Sequence, residues 1–64
     1  MSDNTAILAG FTREVMFHGL GCERHLFIPP AADVSDCFAA YDADECRFVK
    51  IAGWLGTVQD LASY

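Results

Sequence analysis

Basic residues are scarce in this sequence. Its 64 residues include four Lys and Arg against nine Asp and Glu, which gives a formal net charge of -5 at pH 7. A protein that binds nucleic acid directly normally carries the opposite charge, because it must neutralise phosphates. The composition therefore argues against direct binding of DNA or RNA. An acidic surface is suited instead to a basic protein partner.

Long apolar runs and an even set of cysteines are also lacking. No segment approaches the roughly 20 apolar residues that a membrane span requires, and residues 1–4 lack the basic start of a signal peptide. The chain has three Cys, whereas a disulfide-stapled secreted domain normally has an even number. These features predict a cytoplasmic protein with free thiols at Cys22, Cys37 and Cys46 and no membrane contact.

No catalytic or cofactor signature is present. His18, Cys22 and His25 are residue types that bind zinc, but their spacing does not match a zinc finger or ribbon. Cys22 between two His is the minimum for nucleophilic catalysis, yet nothing marks an oxyanion hole or an orienting third group. We therefore predict no enzyme activity and no cofactor, with a metal-linked regulatory module as a competing interpretation.

Apolar and aromatic residues are abundant. Hydrophobic residues make up 53% of the chain, with five Phe, two Tyr and one Trp. A chain of this length buries only about 60% of its unfolded surface. The composition predicts one small domain, residues 1–64, with a compact core and some apolar side chains left for an interface.

The first half of the chain predicts a β-hairpin. Residues 12–18 and 24–28 are rich in strand formers, and residues 19–23 supply the turn. In that register one face carries Val15, Phe17 and Phe27, and the other carries Met16, Leu26 and Ile28. His18 and His25 then lie on opposite faces. The preceding apolar residues 6–10 suit either a helical turn or a short strand.

The second half, residues 37–55, predicts another hairpin. An apolar run is followed by an acidic turn at 42–45 and an alternating strand at 46–51. The predicted pairs are Tyr41 with Cys46, Ala39 with Phe48, and Phe38 with Val49. Trp54 should be a buried anchor at the end of this strand, and residues 55–61 suit a last short strand.

These elements predict a mostly β fold, a small curved antiparallel sheet or partial barrel of two hairpins. The competing interpretation is an α+β fold with one helix at about 33–42. Val34, Phe38 and Tyr41 follow the i, i+4, i+7 spacing that favours such a helix.

Acidic residues are concentrated between Pro29 and Cys46, where no base occurs. One interpretation is that they keep an apolar small protein in solution. The sharper interpretation is a patch offered to a basic partner. The candidate partner-binding residues are Asp33, Asp36, Asp42, Asp44 and Glu45.

Residues 38–41, the acidic turn, residues 48–51 and Gly53-Trp54-Leu55 together resemble short uncharacterised phage proteins. A single small acidic domain without a catalytic motif also resembles the anti-CRISPR class of phage inhibitors. That class is defined by activity and has no shared motif, so it carries no site residues to this chain. The resemblance implies a stoichiometric inhibitor that binds a host nuclease complex.

Two functions follow as expectations. The first is a protein-binding inhibitor of a host nucleic-acid-targeting defence complex, in one version a DNA mimic that occupies a DNA-binding surface. It would act in the host cytoplasm on a protein or nucleoprotein partner, as a monomer or homodimer. The alternative is a small viral structural or assembly protein that uses its apolar surface to oligomerise.

Overall fold

The computed structural model describes residues 4–19, 21–52 and 56–61. These residues form one short helix and five strands: α1 (Asn4–Leu8), β1 (Arg13–Gly19), β2 (Cys22–Ile28), β3 (Phe38–Asp42), β4 (Arg47–Ile51) and β5 (Gly56–Asp60). All five strands join one antiparallel sheet in the order β4-β3-β2-β1-β5. The predicted mostly β fold of two hairpins is confirmed, as an open sheet with β4 and β5 at its edges.

The apolar N-terminal segment forms a helical turn and not a strand. The backbone amide of Ala9 donates to the carbonyl of Thr5 at 3.0 Å, as in an α-helix. Gly10 then adopts φ +86°, a left-handed conformation that few other residues tolerate. The amide of Phe11 donates back to the Ala6 carbonyl at 2.8 Å, and this bond closes the helix end.

Residues 33–42 do not form a helix, so the α+β alternative is wrong. Residues 29–37 connect β2 to β3 through turns, with the Ala32 amide donating to the Pro29 carbonyl at 3.0 Å. The strand begins at Phe38 and lies between β2 and β4. Both sides of β3 are hydrogen-bonded to neighbouring strands, and this pairing outweighs the local helical spacing.

The register of the first hairpin differs from the predicted one by a single residue. Gly19 pairs with Cys22, and Gly21, which lies between them in the chain, has a positive φ of 76°, as is common in tight hairpin turns. A shift of one residue moves every β2 side chain to the other face. The predicted faces, including the placement of His18 and His25 on opposite sides, are therefore wrong.

The corrected register gathers the large aliphatic residues on one side of the sheet, which we call the core face. Its buried cluster consists of Val15, Phe17, Leu26, Ile28, Phe38, Ala40 and Ile51. The Phe17 and Phe38 rings meet edge to face with centroids 5.8 Å apart. Ala32 and Val34 of the β2–β3 connection pack against this cluster.

The register of the second hairpin differs from the predicted one by two residues. Tyr41 pairs with Phe48 and not with Cys46, because four residues, 43–46, form the turn. Cys46 adopts φ 55°, and its amide donates to the Asp42 carbonyl at 2.7 Å. A shift of two residues leaves each side chain on its predicted face.

The opposite side of the sheet, the outer face, carries an aromatic cluster. The Phe48 ring contacts Tyr41 at a centroid distance of 4.8 Å and Phe11 at 5.1 Å, both edge to face. Tyr41 is buried, whereas Phe48 is 43% exposed. Phe11 thereby ties the N-terminal segment to β4, three strands away from β1 in the sheet.

The predicted last strand is present as β5, which pairs with β1 at the edge of the sheet. Val58 packs against the core cluster. The Arg13 guanidinium donates two hydrogen bonds to the Asp60 carboxylate, at 2.6 and 3.1 Å, and links the two strands. Trp54, the predicted anchor, lies outside the described residues.

The Arg13–Asp60 link should make β5 sensitive to acid. The hydrogen bond from Arg13 lowers the pKa of Asp60. A carboxylate with a lowered folded-state pKa stabilises the fold above its unfolded pKa, and this contribution is lost as the pH falls through the folded value. As the pH decreases from about 5 to about 2, we expect the unfolding free energy of Asp60→Asn to fall less steeply than that of the parent.

Chemical denaturation across this range measures the effect, with Asp44→Asn as the matched control at an exposed carboxylate that has no ion-pair partner among the described residues. Equal pH profiles for the parent and Asp60→Asn would contradict the assignment.

Candidate functional site

The β3–β4 turn is built around the buried carboxylate of Asp42. Asp42 is 1% exposed, and its Oδ1 accepts hydrogen bonds from the amides of Asp44 at 2.9 Å and Glu45 at 3.1 Å. Its Oδ2 accepts from Arg24 Nη1 of β2 at 3.1 Å. A short side chain that binds the amides two and three residues ahead fixes the turn conformation. Asp42 therefore holds the turn and offers no free carboxylate to a partner.

The next two acids of the turn point outward. Asp44 and Glu45 are exposed while their backbone amides are bound to Asp42. Arg47 Nε donates to Glu45 Oε1 at 2.7 Å, and this bond raises the pKa of the guanidinium. We call Asp44 and Glu45 the turn carboxylates. Their backbone is preorganised and their side chains face solvent.

The remaining candidate acids, Asp33 and Asp36, lie in the β2–β3 connection. Both are exposed. The Ser35 hydroxyl and amide donate to Asp33 Oδ1 at 2.6 and 3.0 Å, and these bonds lower the pKa of Asp33. The amide of Asp36 donates to the Asp33 carbonyl at 3.3 Å. We call Asp33 and Asp36 the loop carboxylates.

The two acidic groups precede and follow β3 in the chain. The loop carboxylates precede its first residue, Phe38, and the turn carboxylates follow its last residue, Asp42. Four residue steps of extended chain cover about 13 Å. The sequence suggested one acidic patch, but β3 lies inside the sheet and the acids form two groups, one before and one after this strand.

A set of polar contacts on the outer face was missed by the sequence reasoning. His25 Nε2 is hydrogen-bonded to Glu14, and His18 Nδ1 lies 3.1 Å from Glu23 Oε2. His18 Nε2 is also hydrogen-bonded to Gln59 of β5 at 3.2 Å. Both imidazoles share a face because His25 pairs with Met16, two residues from His18 in β1. The dipeptide before Cys22, Leu-Gly, is not one of those that mark a two-residue hairpin turn, so the sequence carried no clear signal for this register.

The thiols and imidazoles do not converge on a metal. Cys22, Cys37 and Cys46 are exposed and free. Cys22 Sγ donates to the Gly19 carbonyl at 3.4 Å, and Cys46 Sγ to the Ala43 carbonyl at 3.7 Å. Within residues 4–19, 21–52 and 56–61, no three His, Cys, Asp or Glu side chains are grouped so that they could hold a metal ion.

A shallow, open groove lies beside the β1–β2 turn. It is lined by His18, Gly19, Gly21, Cys22 and Glu23. Its imidazole is bonded to Glu23 and Gln59, and its thiol to a backbone carbonyl. The groove therefore presents no hydrogen-bonded thiol and imidazole pair of the kind that activates a nucleophile.

Comparisons with protein-family models, with curated proteins and with solved structures gave no match. Of the residues described, none belong to a helix with the length and apolar character needed to traverse a membrane.

Proposed function

We propose that this domain is a stoichiometric, non-catalytic inhibitor that binds a nucleic-acid-targeting defence complex in the cytoplasm of a host cell. The observation that carries the proposal is the β3–β4 turn. Buried Asp42 fixes its backbone and leaves the carboxylates of Asp44 and Glu45 exposed. This mode of action corresponds to that of the anti-CRISPR class, which the sequence resembles.

The chemistry of such a partner favours carboxylates. A complex that binds DNA or RNA presents Lys and Arg at positions suited to phosphates, and carboxylates form charge-assisted hydrogen bonds with the same groups. A turn already held in one conformation loses little conformational entropy on binding. Asp44 and Glu45 are suited to this contact because Asp42 already orders their backbone.

The placement of acidic groups before and after β3 supports mimicry of a nucleic-acid backbone. The loop and turn carboxylates flank β3, whose length is about 13 Å. Phosphates along one DNA strand recur at about 3.4 Å of axial rise, so about four base pairs cover the same distance. A basic groove could thus contact both groups at once, and the net charge of -5 would steer the encounter.

A viral assembly protein is the second candidate. It is favoured by exposed apolar side chains at Ile7, Leu8 and Phe48, which are 55%, 87% and 43% exposed. Size-exclusion chromatography with light scattering separates the two functions. Higher assemblies would favour a structural part, whereas a monomer or dimer favours the inhibitor.

Charge reversal at the turn tests the inhibitor in cells. The domain is expressed in bacteria that carry different CRISPR systems, and phage plating efficiency is measured. We expect the parent domain to restore plating against at least one system, and Asp44→Lys with Glu45→Lys to lose most of that effect. Asp42 is left unchanged, because reversing a buried carboxylate would unfold the turn.

Glu23→Lys is the control for charge reversal at an exposed acid outside the turn carboxylates, since Glu23 lies in β2 and is paired with His18. It should retain the parent's effect. Restored plating with both reversals in place would contradict a contact through the turn carboxylates. No effect of the parent on any system would contradict the proposed function.

A further inference from the structure

The outer edge of β4 has a defined set of free backbone groups. The amide of Cys46 donates to the Asp42 carbonyl, and the amide of Ala43 donates to the His25 carbonyl. Asp42 pairs with Arg47 next to this turn, so Arg47 is bonded towards β3. Because antiparallel ladders alternate, Val49 and Ile51 are also bonded towards β3.

The backbone groups of Phe48 and Lys50 consequently point away from the sheet. β4 is an edge strand, and no described strand pairs with its outer side. Phe48 and Lys50 are both exposed. Two amides and two carbonyls are thus arranged as one half of an antiparallel ladder.

We propose that β4 pairs with β4 of a second copy of this chain, antiparallel and with the two-fold axis at Val49. In this register Phe48 lies opposite Lys50 of the partner, and Lys50 opposite the partner's Phe48. These are the residues whose backbone groups face outward, so the two pairs form four hydrogen bonds. A register shifted by one residue would place outward-facing backbone groups opposite backbone groups that are already bonded to β3.

The side chains complement each other in the same register. Arg13, Arg24 and Arg47 each form an ion pair, whereas Lys50 has none with any residue that the structure describes. The proposed dimer places this ammonium beside the half-exposed Phe48 ring, a favourable cation–π contact. An edge lysine ordinarily opposes strand pairing. Here the two-fold axis separates the two Lys50 side chains and puts an aromatic ring opposite each.

The dimer would join two sheets of five strands into one continuous sheet. Its two acidic turns would lie at opposite ends of the β4 pair. Two residue steps lead from Val49 to Arg47, the first strand residue after the turn, in each copy, so the two strand starts would be about 13 Å apart along the strands and the turns would lie beyond them. The pairing itself does not depend on the proposed function.

Disulfide trapping tests the register. The three native Cys are replaced by Ser, and single cysteines are introduced by Val49→Cys, Lys50→Cys and Ala39→Cys in separate chains. At the axis the two residues 49 form a non-hydrogen-bonded pair with Cα atoms about 4.5 Å apart, within disulfide range. We expect oxidation to link Val49→Cys at least about tenfold faster than the Ala39→Cys control in interior β3.

Disulfide formation that is fastest at position 50 would overturn the register centred on Val49. Equal rates of disulfide formation at positions 49 and 39 would overturn the proposal. Unfolding of Val49→Cys would show in circular dichroism. Sedimentation of Lys50 variants, which keep Val49, then decides the proposal.

Sedimentation equilibrium of Lys50→Pro and Lys50→Ala tests the backbone bonds. Proline removes the outward amide of residue 50 but no bond to β3, so the monomer should keep its fold. We expect the parent to dimerise and Lys50→Pro to raise the dimer Kd at least about tenfold. Lys50→Ala keeps the amide and should have a smaller effect. A parent that stays monomeric up to about 1 mM, or a Lys50→Pro variant that dimerises as tightly, would overturn the proposal.

Discussion

Phe17→Ala should unfold most of the protein at room temperature. Phe17 is 1% exposed, lies in the core cluster and contacts Phe38 edge to face. Truncation of a buried Phe costs about 3–5 kcal/mol. A domain of 64 residues has a total stability of about 3–10 kcal/mol, so this loss consumes much or all of it.

Phe48→Ala is the matched control for this prediction. It removes the same side chain from the outer face, where the ring is 43% exposed. We expect a loss of about 1–2 kcal/mol, because fewer contacts disappear and no closed cavity forms. Urea unfolding followed by circular dichroism compares the two variants. Equal losses would contradict the assignment of the core to the Phe17 face.

Asp42→Ala should destabilise the domain by about 2–4 kcal/mol and loosen the β3–β4 turn. The substitution removes the acceptor for the Asp44 and Glu45 amides and the partner of Arg24. The lower part of this range allows for the Arg24 side chain, which is 40% exposed and can be rehydrated.

Two variants separate the roles of Asp42. Asp44→Ala, in the same turn but exposed, should change stability by less than about 0.5 kcal/mol. Asp42→Asn keeps an acceptor oxygen but loses the charge, so its cost should lie between the two. Thermal unfolding measures all three. An Asp42→Ala variant that melts with the parent would show that the turn does not depend on this carboxylate.

The strand content was predictable because period-two patterns and turn residues act locally. Residues 46–51 alternate clearly, and the acidic residues before them end β3 in a turn. The register was not predictable from the same signals. Cys22 could belong to the turn or to the strand, and the choice changes the face of every β2 residue. Backbone pairing with β1 decides between the two.

The candidate site was predictable in composition and not in geometry. The sequence identifies five acids without a base among them, but Asp42 resembles its neighbours until its burial is known. An Asp side chain commonly accepts a hydrogen bond from a backbone amide two residues ahead in a turn. The His–Glu pairs of the outer face depend on register and could not be predicted from spacing alone.

The central claim is tested most directly by titrating the purified domain into RNA-guided effector complexes and following labelled target DNA by fluorescence anisotropy. For at least one complex, DNA binding should be lost, and the titration curve should break at a fixed ratio of domain to complex. The domain should inhibit more weakly in high salt, because exposed charges are screened over about 10 Å at 0.1 M. The Asp44→Lys and Glu45→Lys variant should leave DNA bound. DNA binding that persists in every complex at a large excess of the parent domain would contradict the account.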